Sequence, residues 1–164
     1  MGQYYVIVNL DKGEYLHPHR FNDGLKLLEF GSSGCATMLA LAVLLADGNG
    51  RGGGDLDSDD ALVGSWAGDR IVVAGDYADD GKWLTQEQIE RYMAEQTEDA
   101  KHFRQHNRTA PTLYGFAHAY FRDVSREAIV ALCADPYIRA NLQVALARMA
   151  EWDEEAQKTV ALIA

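Results

Sequence analysis

The chain has 164 residues, 48% of them hydrophobic and 24% charged, which is typical of one globular domain large enough to bury its own core. Its formal net charge is −10, and the excess lies in residues 47–99, which carry fourteen acids against four bases. Such a concentrated negative charge attracts cations or basic protein surfaces and repels a phosphate backbone, which argues against direct binding of nucleic acid. The longest apolar run, 35–46, is shorter than a membrane span of about 20 residues. We therefore expect a soluble, cytoplasmic protein with no membrane contact.

The first third of the chain predicts a β-hairpin followed by two helices. Residues 4–10 are β-branched or aromatic on both faces, as in a strand covered on two sides, and residues 14–17 form the returning strand. A short helix is expected at 21–30. The run 35–46 is apolar around nearly its whole circumference, so we interpret it as the central buried helix.

After a glycine- and aspartate-rich loop at 47–60, the pattern predicts a second hairpin and then helices. Its strands are the apolar runs 62–66 and 70–74, separated by Ala67-Gly68-Asp69. Thr85 and Gln88 match a capping box for a helix running to about residue 106. Three more helices are expected at 113–121, at 125–133, and from Asp135-Pro136 through Trp152, with the end of the last one left open between Trp152 and the C-terminus. We therefore predict an α+β domain: a small antiparallel sheet of hairpins covered by helices, with a helical C-terminal half.

The loop at 47–60 matches two binding motifs in part. Asp55-x-Asp57-x-Asp59 has the alternating carboxylates that open a calcium loop, but Asp60 and Trp66 stand where that motif has glycine and glutamate. Gly48-x-Gly50-x-x-Gly53 matches the dinucleotide fingerprint formally, yet it follows a helix and enters an acidic run that would repel a pyrophosphate. The loop is better interpreted as a surface that faces cations or a basic partner.

Histidine and cysteine supply two further candidates. His102 and His106 are four residues apart on one helix face, a spacing with which two imidazoles can share a metal ion, although the basic residues around them also fit the last turn of a helix. Cys35 precedes a helix and would need His17 or His118 as a base to act as a nucleophile. Its apolar surroundings favour a buried thiol, and we interpret Cys35 and Cys133 as free thiols in a reducing compartment.

Several segments carry a resemblance to a known family. They are Gly2-Gln-Tyr-Tyr, Val8-Asn-Leu-Asp-Lys, Glu14-Tyr-Leu, Asp23-Gly-Leu-Lys-Leu, Trp66-Ala-Gly-Asp-Arg and Gly75-Asp-Tyr-Ala. In these segments the first half of the chain resembles a family of small, uncharacterised bacterial and phage proteins. The resemblance implies a bacterial or phage origin and no particular activity.

Three functions remain open. The first is an acidic interaction protein that binds a basic protein surface, such as a phage inhibitor of a host nucleic-acid-binding system. Its expected partner-binding residues are Asp55, Asp57, Asp59, Asp60, Asp69, Asp76, Asp79 and Asp80. The second is a hydrolase of phosphate esters, in which Asp55, Asp57 and Asp59, or Asp69 and Asp76, hold magnesium or manganese. The third is a structural domain with a disordered loop. We expect no cofactor beyond such a divalent cation, and the sequence leaves the oligomeric state and any catalytic activity open.

Overall fold

A computed structural model describes residues 2–95 and 110–164, and it has the α+β fold that the sequence predicts. The strands are β1 (Tyr5–Asn9), β2 (Glu14–Leu16), β3 (Ile71–Gly75) and β4 (Arg122–Asp123). They form one sheet in the order β3-β1-β2-β4. Both β2 and β3 run antiparallel to β1, whereas β4 is parallel to β2, so the sheet is mixed.

Helices surround this sheet in the described ranges. They are a 3-10 helix (Pro18–Phe21), α1 (Leu27–Phe30), α2 (Ala36–Leu45), α3 (Gln86–Ala94), α4 (Leu113–Tyr120), α5 (Ser125–Leu132), α6 (Pro136–Met149) and α7 (Glu154–Ile163). The predicted continuation of α3 to residue 106 lies outside the described residues. The predicted last helix is divided into α6 and α7, because the Asp153 carboxylate accepts hydrogen bonds from the N–H groups of Glu155 and Ala156 and so begins a new helix. None of the helices in the described ranges combines the length and the apolar character needed to span a bilayer.

The sheet is buried on both faces, as the two-sided apolar pattern of β1 predicts. Ile7 points into the larger core, which α2, α5, α6 and α7 complete. Val6 and Val8 point to the opposite face, where they pack with Leu113 and Ala117 of α4. Alternating residues of one strand therefore join the two helical layers.

The second predicted hairpin is wrong, because residues 61–68 form consecutive turns and β3 pairs with β1 instead. The last carbonyl groups of a helix need donors from outside the helix. The N–H of Gly64 donates to the Val43 carbonyl at 2.9 Å, and the N–H of Trp66 donates to the Leu44 carbonyl at 2.8 Å. The segment that looks like a strand is thus the cap of α2.

The prediction that α2 is a central buried helix is also wrong. Only Thr37, Ala40 and Leu44 are buried, whereas Leu39 and Leu45 are 39% and 37% exposed. A uniformly apolar sequence does not indicate which side of a helix the rest of the chain covers. Here the chain covers one side, and the other side is an apolar surface.

Replacing Gly64 by alanine should lower the free energy of unfolding by about 1–3 kcal/mol, because this residue has a left-handed backbone. Its φ is +73°, and an added Cβ would lie 2.5 Å from the Ala46 carbonyl oxygen. Urea denaturation measures the loss. Gly68→Ala is the matched control, since its φ is +83° but nothing lies within 4 Å of the added Cβ. Equal losses for the two variants would contradict the close approach of Gly64 to α2.

Candidate functional site

The loop between α2 and the turn at Gly64 closes on itself. It leaves the C-terminus of α2 and returns to it, since Gly64 and Trp66 bind the last carbonyls of that helix. Loops whose ends meet in this way pack on their own side chains and frequently carry function. Leu56 holds the loop to the body of the protein, because its half-buried side chain packs against the larger core.

Hydrogen bonds inside the loop shape it further. The Asn49 side-chain amide donates to the Ser58 carbonyl at 3.1 Å, and the N–H of Arg51 donates to the Asp55 carboxylate at 2.8 Å. The N–H of Leu62 donates to the Asp60 carboxylate at 2.9 Å. The glycines at 48, 50 and 52–54 all have positive φ, so the glycine-rich composition serves the backbone conformation of this loop.

A groove of about 300 Å³ lies between the exposed side of α2, the loop and the start of α6. Its floor is apolar. The residues that form the floor are Leu39, Ala42, Val43, Ala46, Leu56, Val63, Leu132 and Ile138. The exposed apolar side of α2, which we call the α2 surface, comprises Leu39, Ala42 and Leu45. Adjoining exposed apolar side chains of this kind make the α2 surface a candidate interaction site.

The rim of the groove is acidic. Asp55 and Asp135 line it, and Asp47, Asp57 and Asp59 of the adjoining loop are exposed. The loop 47–60 carries five aspartates and one arginine, a net charge of −4. An apolar floor beside an acidic rim can accept a segment that presents apolar side chains flanked by lysine or arginine.

The other aspartates predicted to bind a partner lie elsewhere. Asp69 accepts hydrogen bonds from the Asn9 amide at 2.8 Å and the Lys12 ammonium at 2.6 Å, and the Lys12 contact holds the pKa of Asp69 below its usual value. Asp76 accepts from the N–H of Tyr4 at 2.9 Å. These contacts place Asp69 and Asp76 at opposite ends of β1 and β3, roughly 20 Å apart at the rise of a strand. The two carboxylates therefore do not share one cation.

Asp79 and Asp80 are exposed and follow β3, near Asp76. Asp60 lies on the other side of the loop, in a cleft that it shares with Lys12 and Arg122. The acidic segment 47–80 thus divides into three surfaces rather than one face. The structure brings together Asp55 and the apolar groove, and it separates them from Asp69, Asp76, Asp79 and Asp80.

A larger cleft of about 550 Å³ lies beside β2 and α5, but its main charges already pair with one another. The Arg122 guanidinium binds Glu14 at 2.7 Å and Glu127 at 2.9 Å. The second oxygen of the Glu14 carboxylate accepts from the Trp66 indole N–H at 2.8 Å. This arrangement stabilises the fold, and it leaves less charge for a ligand than the acidic rim does.

Within residues 2–95 and 110–164, no group of three or more His, Cys, Asp or Glu side chains is arranged to hold a metal ion. His102 and His106 lie outside these ranges. His17, His19 and His118 do come together, with ring centroids 5.4 Å apart for His17 and His118 and 6.4 Å apart for His17 and His19. Their rings form an aromatic cluster with Tyr15, Tyr114 and Trp152.

The cysteines are free thiols, as the sequence suggests, but only Cys133 is buried. Cys35 is partly exposed at the N-cap of α2, where its thiol donates to the Glu29 carbonyl at 3.2 Å. The His118 ring of α4 stacks on Tyr15 of β2 and contacts the His17 ring. The two histidines therefore contact each other rather than Cys35. No nucleophile and base pair is formed by these residues.

The residues of the α2 surface were not expected at a binding site, because they belong to the apolar run 35–46, which predicts a buried helix. The only signal in the sequence is the direct junction of an apolar helix with an acidic loop. Comparison with known proteins gives no further guidance, since no family model, no curated protein and no solved structure matches the chain. Membership of the small bacterial and phage family stays a prediction.

Proposed function

We propose that this protein is an acidic interaction protein that binds a basic, amphipathic segment of a partner protein in the groove between α2 and α6. The observation that carries the proposal is the exposed α2 surface next to the aspartates of the loop. Apolar side chains of the segment would cover Leu39 and Ala42, which are exposed on α2. Lysine or arginine side chains would meet Asp55 and Asp57 at the rim.

Charge also favours a basic partner over a second copy of this chain in the groove. Two copies joined through the groove would bring two loops of net charge −4 towards each other. Nucleic-acid-binding proteins present basic surfaces of the required sign, so we propose a host protein of that class as the partner and this chain as its inhibitor. Nothing in the described residues favours the divalent-ion hydrolase over this function.

The test uses a synthetic amphipathic peptide of leucine and lysine, with its leucine–glutamate counterpart as the charge control. We expect the leucine–lysine peptide to bind and the leucine–glutamate peptide not to bind. The affinity should fall steeply with added salt, which screens the aspartates of the rim. Fluorescence anisotropy of the labelled peptide measures both effects. Affinity that does not change with salt would contradict a charge-guided interaction.

Variants locate the binding surface. Leu39→Glu should weaken binding at least about tenfold, because it places a carboxylate on the apolar floor. Leu28→Glu is its matched control, since Leu28 is 92% exposed on α1. Asp55→Asn combined with Asp57→Asn should reduce the salt dependence, whereas Asp79→Asn with Asp80→Asn should not. Equal effects of the loop pair and the distant pair would show that net charge alone attracts the peptide.

A further inference from the structure

The outer edge of β3 has backbone groups, at Ile71 and Val73, that have no hydrogen-bond partner within residues 2–95 and 110–164. In the antiparallel pair of β3 and β1, the N–H of Leu10 donates to the Arg70 carbonyl and the N–H of Asp76 donates to the Tyr4 carbonyl. Hydrogen bonds alternate along such a pair. The backbone N–H and carbonyl groups of Val72 and Ala74 therefore bond to β1, while those of Ile71, Val73 and Gly75 are directed to the outer side of the sheet. Among the described residues, no backbone group bonds to Ile71 or Val73 from the outer side, whereas the Gly75 carbonyl accepts from the Ala78 N–H at 3.2 Å.

The turn at Ala78 covers the Gly75 end of this edge, but the Ile71–Val73 part lacks the features with which proteins usually protect a sheet edge. The segment Ile71–Gly75 has no lysine, no proline and no bulge, and Val73 is 43% exposed. A groove of about 390 Å³ runs beside it, lined by the exposed rings of Tyr77 and Trp83. The opposite edge of the sheet, β4, has only two residues. The edge of β3 is therefore the place where the sheet can be extended.

We propose that β3 pairs with β3 of a second copy of this chain, antiparallel and about a two-fold axis at Val73. In this register Val73 faces the partner's Val73, and Ile71 faces the partner's Gly75. The N–H and carbonyl of Val73 then bond to those of the partner's Val73 at the axis, while the Gly75 carbonyl stays bonded to the Ala78 N–H of its own chain. The result is a continuous eight-stranded sheet, built from the four strands of each copy. It uses different residues from the α2 groove and does not depend on the function proposed above.

Charge complementarity selects the second copy over an unrelated extended peptide. The same register places Arg70 directly opposite the partner's Asp76, and the two-fold axis repeats this pair. Opposite charges facing each other across an antiparallel pair are stabilising. The Arg70 guanidinium is 72% exposed and is oriented by Asp11 at 2.7 Å, while the Tyr4 N–H holds Asp76. Because Arg70 and Asp76 lie at opposite ends of the edge, two antiparallel copies of this edge place each base opposite an acid.

Sedimentation velocity of the full chain, from low-micromolar to near-millimolar concentration, measures the dimer directly. We expect a reversible monomer–dimer equilibrium. Val73→Lys should abolish it, because two like charges would then face each other at the axis. Val73→Thr is the matched control, since it keeps a β-branched side chain without charge. A protein that stays monomeric throughout, or a dimer that Val73→Lys leaves intact, would overturn the proposal.

A charge-exchange cycle tests the register. Arg70→Asp and Asp76→Arg should each raise the dimer dissociation constant at least about tenfold, because each places like charges opposite one another twice. The double variant should restore dimerisation. Asp11→Asn is the control: it weakens the internal ion pair of Arg70 with Asp11 but keeps Arg70 and Asp76 charged. Dimerisation should therefore persist in this variant. Failure of the double variant to recover dimerisation, with circular dichroism unchanged, would exclude this register.

Discussion

Trp66→Ala is expected to lower the free energy of unfolding by about 3–5 kcal/mol, the largest loss for any single substitution considered for this chain. Trp66 is 0% exposed and belongs to the larger core. Its backbone N–H caps α2 at Leu44, and its indole N–H donates to the Glu14 carboxylate at 2.8 Å. Alanine keeps the backbone cap, but it leaves a cavity and an unused acceptor on Glu14. Guanidinium denaturation followed by circular dichroism measures the change.

Two variants separate the parts of this effect. Trp66→Phe keeps most of the ring volume and removes the indole donor, so its loss should be about 1–2 kcal/mol. Trp152→Ala removes the same side chain where it is 66% exposed, and it should change stability little. A loss at Trp152 as large as that at Trp66 would contradict the assignment of Trp66 as the residue that joins α2, β2 and the loop.

The free energy of unfolding is expected to fall by up to about 3 kcal/mol as the pH is lowered from 6.5 to 4, because of His17. The pKa of His17 is lowered from 6.5 to about 4, mainly by burial; the Arg20 guanidinium also lowers this pKa, and Asp123 opposes the shift. Within the described residues its Nδ1 has no hydrogen-bond partner. Between these two pH values the unfolded chain binds a proton that the folded chain does not, so acid favours unfolding. Above pH 6.5 both states are neutral at this residue and the contribution is complete.

Urea denaturation at a series of pH values measures the acid sensitivity. His17→Phe should reduce the slope between pH 6.5 and 4, since the variant has no group to protonate there. His19→Phe is the matched control, because it removes an imidazole two residues away in the same aromatic cluster. Below about pH 4 the paired carboxylates of Asp11 and Asp69, whose pKa values Arg70 and Lys12 hold down, add a separate loss that both variants retain. An unchanged slope in His17→Phe would assign the acid sensitivity to other groups.

Local signals predicted those parts of the fold that depend on neighbouring residues. The capping box of Thr85 and Gln88 forms with both of its hydrogen bonds, and Asp135 caps α6 just before Pro136. Each of these caps is complete within four residues, so the sequence contains all of its partners. The hairpin of β1 and β2 was predicted for the same reason.

Elements that depend on distant partners could not be predicted. Arg122–Asp123 has no strand pattern, and it becomes β4 because the N–H groups of Arg122 and Val124 donate to the carbonyls of Gly13 and Tyr15. The cap of α2 by Gly64 and Trp66 is equally non-local. The candidate site shows the same division: composition identified the acidic rim, whereas exposure of Leu39 depends on which elements fail to cover α2.

The cap of α2 allows the length and sequence of the loop that follows α2 to vary. Ala46 and Gly64 lie in contact, so residues 47–63 form a loop whose two ends meet. Chain length between such points contributes only weakly to folding free energy. Apart from Leu56 and Leu62, which pack against the larger core, this loop can therefore be shortened, lengthened or exchanged while the body of the fold persists. If the proposed groove binds a partner, its specificity can vary through this loop without a change in the rest of the fold.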